Sequence, residues 1–223
     1  MNTRYQALCN NFSDYHYHIF GCGAIGSFAA LGIAMMDGKK FSLYDTDTVS
    51  VENVGISAYN IADIHKAKVV ALKRKLMLVD AKEVNMHNVF VDDKLTLQTT
   101  GKNIAILAFD NMFSRLEAAN LCFKAGIEFV IDARMGAEQI QVYSHHNFKD
   151  YHEDWYPDSE SSEENCTNKG TSYCSLIVGG IVTSQIKKII SNNPYTREIC
   201  FHIPSMGMEC LTMVNPIIKG EEV

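Results

Sequence analysis

A doubly wound, mostly parallel α/β sheet of the Rossmann type is predicted by three observations. The aromatic and β-branched run Tyr15–Phe20 leads directly into Gly21-Cys22-Gly23-Ala24-Ile25-Gly26 and an alanine-rich helical segment, Ala24–Met36. The run Asn103–Phe109 is apolar from Ile104 onward, as in a parallel strand buried on both faces. From Tyr15 to Ser144, strand-like and helix-like segments alternate over roughly 130 residues, which is the signature of a parallel sheet wrapped by helices.

The elements follow in order. Asp37-Gly38 closes the first helix, and Phe41–Asp45 is a second strand, so the first 45 residues make a strand–turn–helix–strand unit. Lys66–Val79 has apolar residues at helical spacing with lysines between them, and Glu83–Val91 is a strand. Met112–Ala125 is a helix ended by Gly126. Ile127–Asp132 and Glu138–Ser144 are strands. His145–Gly170 then breaks the rhythm as a long polar crossover loop, before a helix over Tyr173–Ile190. The tail alternates in Glu198–Ile203 and Met208–Val214, which predicts a small C-terminal strand pair. One domain over residues 1–223 accounts for the chain.

The chain is 47% hydrophobic and 21% charged, enough for a full core, and its net charge of −6 argues against nucleic acid or an anionic membrane as the main partner. That charge is local: residues 153–164 hold six acids and no base. The seven cysteines are irregularly spaced in a chain too large to need staples, and no apolar signal segment opens it, so reduced thiols in a cytoplasm are expected. The spacings of Cys166–Cys174 and Cys200–Cys210 do not match a structural zinc site.

The glycine loop lies between a strand and a helix, where glycines admit phosphate close to backbone N–H groups and the helix N-terminus. Asp45, at the end of the second strand, suits ribose hydroxyls. These features fit a dinucleotide or ATP equally. Asp47, Asn53, Lys68, Asp110, Asn111 and Arg115 narrow the choice, because the ends of parallel strands bring them to one rim. Acids for a metal ion and cations for phosphates suit ATP with magnesium better than a nicotinamide.

In sequence, GCGAIG, DTDTVSVEN, the Lys68 segment and FDNMFSR, with the Tyr173–Ile190 helix, resemble the ThiF/MoeB-type adenylyltransferases, relatives of the ubiquitin-activating enzymes. The resemblance implies that Gly21, Gly23, Ala24, Ile25 and Gly26 cradle phosphates and that Asp45 holds the ribose. It further implies that Asn53 and Lys68 contact phosphates, that Asp110 beside Asn111 binds magnesium, and that Arg115 is the family arginine of the next helix. The implied reaction is attack of a C-terminal carboxylate on the α-phosphate of ATP, giving an acyl adenylate and pyrophosphate. The substrate it implies is a ubiquitin-like or sulfur-carrier protein ending in Gly-Gly, and the assembly a homodimer. Where the family has an arginine after the asparagine, this chain has Ile56, so a phosphate-clamping cation is missing or comes from elsewhere. Arg4 resembles an arginine that reaches into the partner protomer's site in some members.

Cys166, in the crossover loop, is the candidate nucleophile for a thioester, against an incidental cysteine; Cys174 is either a helix-terminus thiolate or a core residue. His16 and His18 are expected as satisfied strand histidines, His145, His146 and His152 as solvated loop residues rather than metal ligands. Met35, Met36, Met77 and Met86 fit core or dimer packing. Arg134 either touches substrate or pairs with Asp132. Three other readings stand beside adenylation of a carrier protein: a tRNA-modifying cyclase-like enzyme, an NAD-dependent oxidoreductase, and a catalytically degenerate nucleotide-binding scaffold.

Overall fold

The computed structural model describes residues 11–136, 138–160 and 170–215. Arg4 and Cys166 lie outside them. The strands are β1 (Tyr15–Phe20), β2 (Lys40–Tyr44), β3 (Glu83–His87), β4 (Lys102–Leu107), β5 (Phe129–Gly136), β6 (Gln139–His145), β7 (Tyr195–His202) and β8 (Gly207–Val214). The helices are α1 (Ala24–Met35), α2 (Lys68–Leu78), α3 (Met112–Lys124), α4 (Phe148–Glu153) and α5 (Ser172–Ile190).

All eight strands form one sheet in the order β3-β2-β1-β4-β5-β6-β7-β8. The first five are parallel and the last three antiparallel, so the predicted C-terminal pair extends the main sheet through β6. β1 lies inside the sheet because both of its faces are apolar or aromatic, and only Tyr15 at its start is not fully buried. Its register, Phe20 opposite both Tyr44 and Leu107, levels the strand ends from which the site is built.

Helices α1, α2 and α5 bury one face of the sheet, in a cluster that includes Tyr17, Ile19, Ile33, Leu72 and Val182. Helices α3 and α4 cover part of the other, with Phe20, Leu107, Ala118 and Tyr151. α1 and α5 cross closely, and a Cβ on Gly32 would stand 2.4 Å from Thr183 Oγ1. Small residues at this crossing set the distance between the two helices.

Several expectations are corrected. β3 stops at His87, and Val89–Val91 lie outside the strand, with Phe90 80% exposed and Val91 packed against the second core cluster. His145 is the last residue of β6 and fully buried instead of a solvated loop residue. The first part of the predicted loop contains α4, whose Asn147 cap accepts from the Asp150 N–H at 2.8 Å. Phe148, Tyr151 and Trp155 recur at helical spacing and pack inward, a short apolar stripe that the surrounding acids obscure. Met36 packs against the core and Met35, Met77 and Met86 are exposed on the chain, so the core half of the core-or-dimer expectation holds for Met36 alone.

His16 and His18 are satisfied strand histidines. The His16 ring lies 3.0 Å from Ser42 Oγ, and that of His18 lies 3.1 Å from Asn103 Oδ1 and 3.3 Å from the Tyr44 hydroxyl. Burial pushes His18 down to about 4, although the Asn103 bond opposes it, and pushes His145 down to about 4 as well. An unfolded histidine titrates near 6.5, so below that pH the unfolded chain binds more protons than the native one. Stability therefore falls as pH drops from about 6.5 toward 4, by up to ~3 kcal/mol per histidine. Urea denaturation across this range is expected to show the decline, and His18→Gln to flatten it; a pH-independent midpoint would contradict the assignment.

Candidate functional site

The chain reverses direction across the sheet between β1 and β4, which opens a crevice at the carboxyl ends of those strands. The cavity there has a volume of 1220 Å³. Single small-ligand sites usually occupy ~300–1,000 Å³, so it has room for a nucleotide and a second reactant.

The glycine loop forms its floor. Gly21 has φ +91°, a conformation that favours glycine, and a Cβ there would meet the Ala108 carbonyl at 2.6 Å. A Cβ on Gly26 would lie 1.9 Å from the Gly21 carbonyl, so this glycine lets α1 fold back onto β1. Gly23 caps α1 and faces open space, with no atom within 4 Å of a Cβ built on it. Gly21 and Gly26 thus shape the turn, whereas Gly23 leaves room in front of the α1 N-terminus, where backbone N–H groups attract an anion.

Asp45 follows β2 and is buried. Its Oδ2 accepts the Cys22 N–H at 2.7 Å and its Oδ1 the Asp47 N–H at 2.8 Å. Burial pushes Asp45 above the usual carboxylate range, with Lys68 the main opposing charge. Lys68 opens α2 and donates to Asp47 Oδ2 at 2.7 Å. Burial pulls Lys68 down, yet Asp45 and Asp47 outweigh it and hold its pKa above the ordinary lysine value. Tyr59 braces this corner, donating to the Cys22 carbonyl at 2.5 Å and the Lys68 carbonyl at 3.3 Å.

Asn53 sits in a one-turn 3₁₀ segment, Val51–Asn53, where its Oδ1 accepts the Ser50 N–H at 3.0 Å. That bond turns its Nδ2 amide, a donor, into the group left for a ligand. Asp110 is exposed at the cavity edge. Asn111 caps α3, its Oδ1 accepting the Ser114 N–H at 2.7 Å. Ala24 and Ile25 line the cavity, as does Ile56 in place of a cation.

Arg115 is buried and bonded to Asp132, and it also donates to the Leu107 carbonyl at 3.2 Å. Arg134 donates to the other Asp132 oxygen through Nε at 3.0 Å and Nη2 at 2.8 Å. Its guanidinium carbon lies 4.4 Å from the ring centre of Tyr143 and 4.9 Å from that of Tyr156. Burial alone would raise Asp132, but Arg115 and Arg134 hold it below the usual carboxylate range. Removing one partner of such a buried pair typically costs about 3–5 kcal/mol. Arg134 therefore pairs with Asp132, and it also lines the cavity. Cys174 is a core residue.

Sequence reasoning missed Val89–Val91, Gln141, Tyr156 and Asp158, all of which line the cavity. Gln141 was findable, since the hairpin register places it opposite Arg134 on the same face. Asp158 was hidden among the loop acids. Among the described residues no cluster of three or more His, Cys, Asp or Glu is placed to hold a metal. Magnesium needs no such cluster: one or two carboxylates plus phosphate oxygens suffice, a demand that exposed Asp110 fits. No helix among the described residues is long and apolar enough to cross a membrane.

Comparison with solved structures supports the same architecture. E. coli MccB with AMPCPP and MccA superposes with a TM-score of 0.70 at 15% identity, covering 93% of this chain and 66% of that one. E. coli MccB with ATP gives the same values. PaaA superposes with a TM-score of 0.68 at 20% identity, covering 92% of this chain and 74% of that one. The chain thus spans about two thirds of the MccB length, and at these identities the likeness is one of fold. No curated protein matches in sequence. The ThiF family matches residues 4–216, nearly the whole chain. With that match joined to the glycine loop, Asp45, Lys68 and Asp110 around one cavity, the chain belongs to the ThiF family.

Proposed function

We propose that the chain is an ATP-dependent adenylyltransferase that activates a C-terminal carboxylate as an acyl adenylate. The observation that carries this reading is the joining of an anion-accepting helix N-terminus, a ribose-suited carboxylate, a lysine and an exposed aspartate in one cavity. ATP lies with its phosphates over Gly21–Gly26 and its ribose at Asp45. Its base points along the sheet order toward Val89–Val91, beyond the end of β3. Asn53 and Lys68 face the phosphates, and Asp110, next to Asn111, holds magnesium. When bound, the ion neutralises phosphate charge. MccB, a chain of the same fold, has been crystallised with ATP, which favours the same nucleotide here.

The protein's own contribution is placement and charge. The substrate carboxylate enters from the Arg134, Gln141 and Tyr156 side and attacks the α-phosphate. Pyrophosphate departs toward Lys68 and the α1 N-terminus. Arg115, tied to Asp132, acts as a positioning residue at the base of the cavity. We assign the acyl substrate to a ubiquitin-like or sulfur-carrier protein ending in Gly-Gly. The remaining assignments are a single-domain homodimer in the cytoplasm, with Arg4 reaching the partner's site and Cys166 accepting the acyl group as a thioester. Ile56 on the cavity wall favours one second reading, a nucleotide-binding scaffold that has lost turnover.

Thermal melting with ATP and magnesium, ATP with EDTA, and NAD separates these classes. Ligand at ~100 times its dissociation constant adds about 2.7 kcal/mol, or roughly 5–10 °C at this size. The expected result is a shift with ATP that shrinks in EDTA; a shift with NAD alone overturns the adenylylation reading. Asp110→Ala is expected to abolish carboxylate-dependent pyrophosphate release, and unchanged release would remove Asp110 from the chemistry. Gly23→Ala, whose methyl group meets no protein atom within 4 Å, is expected to fold normally and lose the ATP shift. Gly26→Ala, which collides with the Gly21 carbonyl, is expected to lower the melting temperature itself. Equal behaviour of the two variants would contradict the division of roles within the loop.

A further inference from the structure

The cavity is bounded on its α3 side by residues 154–159, which follow α4. The attachments of this stretch are specific. Both carboxylate oxygens of Asp158 accept the Met112 N–H, at 3.0 and 3.2 Å. Trp155 Nε1 donates to the Met112 carbonyl at 2.8 Å. The Asp154 carbonyl accepts from Arg134 Nη1 and Nη2, each at 3.3 Å, and Arg197 Nε donates to Asp154 Oδ2 at 3.0 Å. Two of the anchors, Met112 and Arg134, themselves line the cavity.

We propose that residues 154–159, which follow the core helix α4, form a strap latched shut by Asp158, and that ATP binding releases it. This rests on the nucleotide reading above. The cavity is lined by three cations, Lys68, Arg115 and Arg134, and four carboxylates, Asp45, Asp47, Asp110 and Asp158. It is already net negative, and Asp132 directly behind it adds another charge. A triphosphate, even with one divalent ion, brings further negative charge into this space. Asp45 and Asp47 follow β2, and Asp110 lies between β4 and α3, so these three belong to the core. Asp158 is carried by the crossover and leaves without disturbing the sheet.

Displacement costs its bond to the first turn of α3, where a carboxylate is favoured by the exposed N–H groups. Repulsion from the phosphates works against that bond, and linkage makes the effect reciprocal: a latch opened by ATP must also weaken ATP binding while closed. Tyr156, itself part of the strap, stacks on Arg134 and donates to Gln141 Oε1 at 3.4 Å, on the side from which the acyl substrate enters. Release by ATP therefore imposes an order, nucleotide first and carboxylate second.

Trp155 is the only tryptophan in the chain, so its emission and acrylamide quenching report on the strap in the intact protein. With ATP and magnesium, Trp155 is expected to become more accessible, and with AMP, which lacks the outer phosphates, to change little. Asp158→Asn without ligand is expected to show the accessible Trp155 signal already and to bind ATP roughly threefold to tenfold more tightly. Met112→Pro deletes the N–H donor at a helix position that suits proline, and is expected to reproduce the Trp155 signal. Melting curves of both variants establish that they are folded. An ATP-stabilised protein with unchanged Trp155 overturns the release, as does Asp158→Asn binding ATP no more tightly than the parent chain. If ATP leaves the melt unchanged, the nucleotide reading falls, and the release falls with it. The ligand-free variants then still decide the latch, because a Trp155 signal unchanged from the parent chain in both would overturn it.

Discussion

Asp45 is the buried carboxylate on which the geometry of the site depends. One of its oxygens fixes the glycine loop through Cys22 and the other fixes the following turn through Asp47. It sits beside Lys68, which Asp47 in turn holds, so strand end, phosphate loop and helix start are tied at one point. A buried carboxylate without these partners would be costly, and with them it locks two otherwise flexible loops into a common frame. The space left in front of Gly23 is the result, because the loop cannot relax into it while both oxygens of Asp45 are engaged.

The antiparallel half of the sheet depends on a second buried carboxylate. Asp132 binds one arginine from α3 and one from its own strand, and so joins the helix that follows Asp110 to the wall formed by β5 and β6. Its two cations against one anion leave a positive balance at the cavity base. That balance does not replace a cation at Ile56 one for one, since Arg115 and Arg134 are both already bonded to Asp132. It does place fixed positive charge near the site at which a carboxylate would react, with little side-chain freedom left to lose on binding.

Most of the parallel half was legible in the sequence because local pattern and chain order say the same thing there. GCGAIG between an aromatic strand and an alanine-rich helix predicts β1, the turn and α1 within a residue, and Asn103–Phe109, apolar from Ile104 onward, could only be an inner strand. Asp45, Lys68 and Asp110 were legible for the same reason, as each follows a strand or opens a helix. What escaped depended on long-range partners. Nothing local marks Arg115 as the partner of Asp132, or picks Asp158 from six neighbouring acids as the one that meets α3. The apolar stripe of Phe148 and Tyr151 on α4, continued by Trp155 just past it, is three residues long, too short to outweigh the charge around it. Val89–Val91 looked like strand because β-branched residues favour strands, but the partner strand β2 ends at Tyr44, opposite His87, and leaves them nothing to pair with.

The interior place of β1 has a consequence for the making of the chain. This strand pairs with β4, in the register Tyr15 opposite Lys102, across nearly ninety residues of intervening sequence. At a synthesis rate of ~5–20 residues per second, roughly 5–20 s separate the emergence of the two strands from the ribosome. During that interval Tyr15–Phe20, an aromatic strand made to be covered on both faces, has at most β2 beside it and no partner on its other edge. The two buried histidines in it are then fully hydrated and free to ionise, which makes the nascent strand more soluble than the finished one. The His18 imidazole, which lowers native stability in acid, would thus help to shield the strand until β4 arrives.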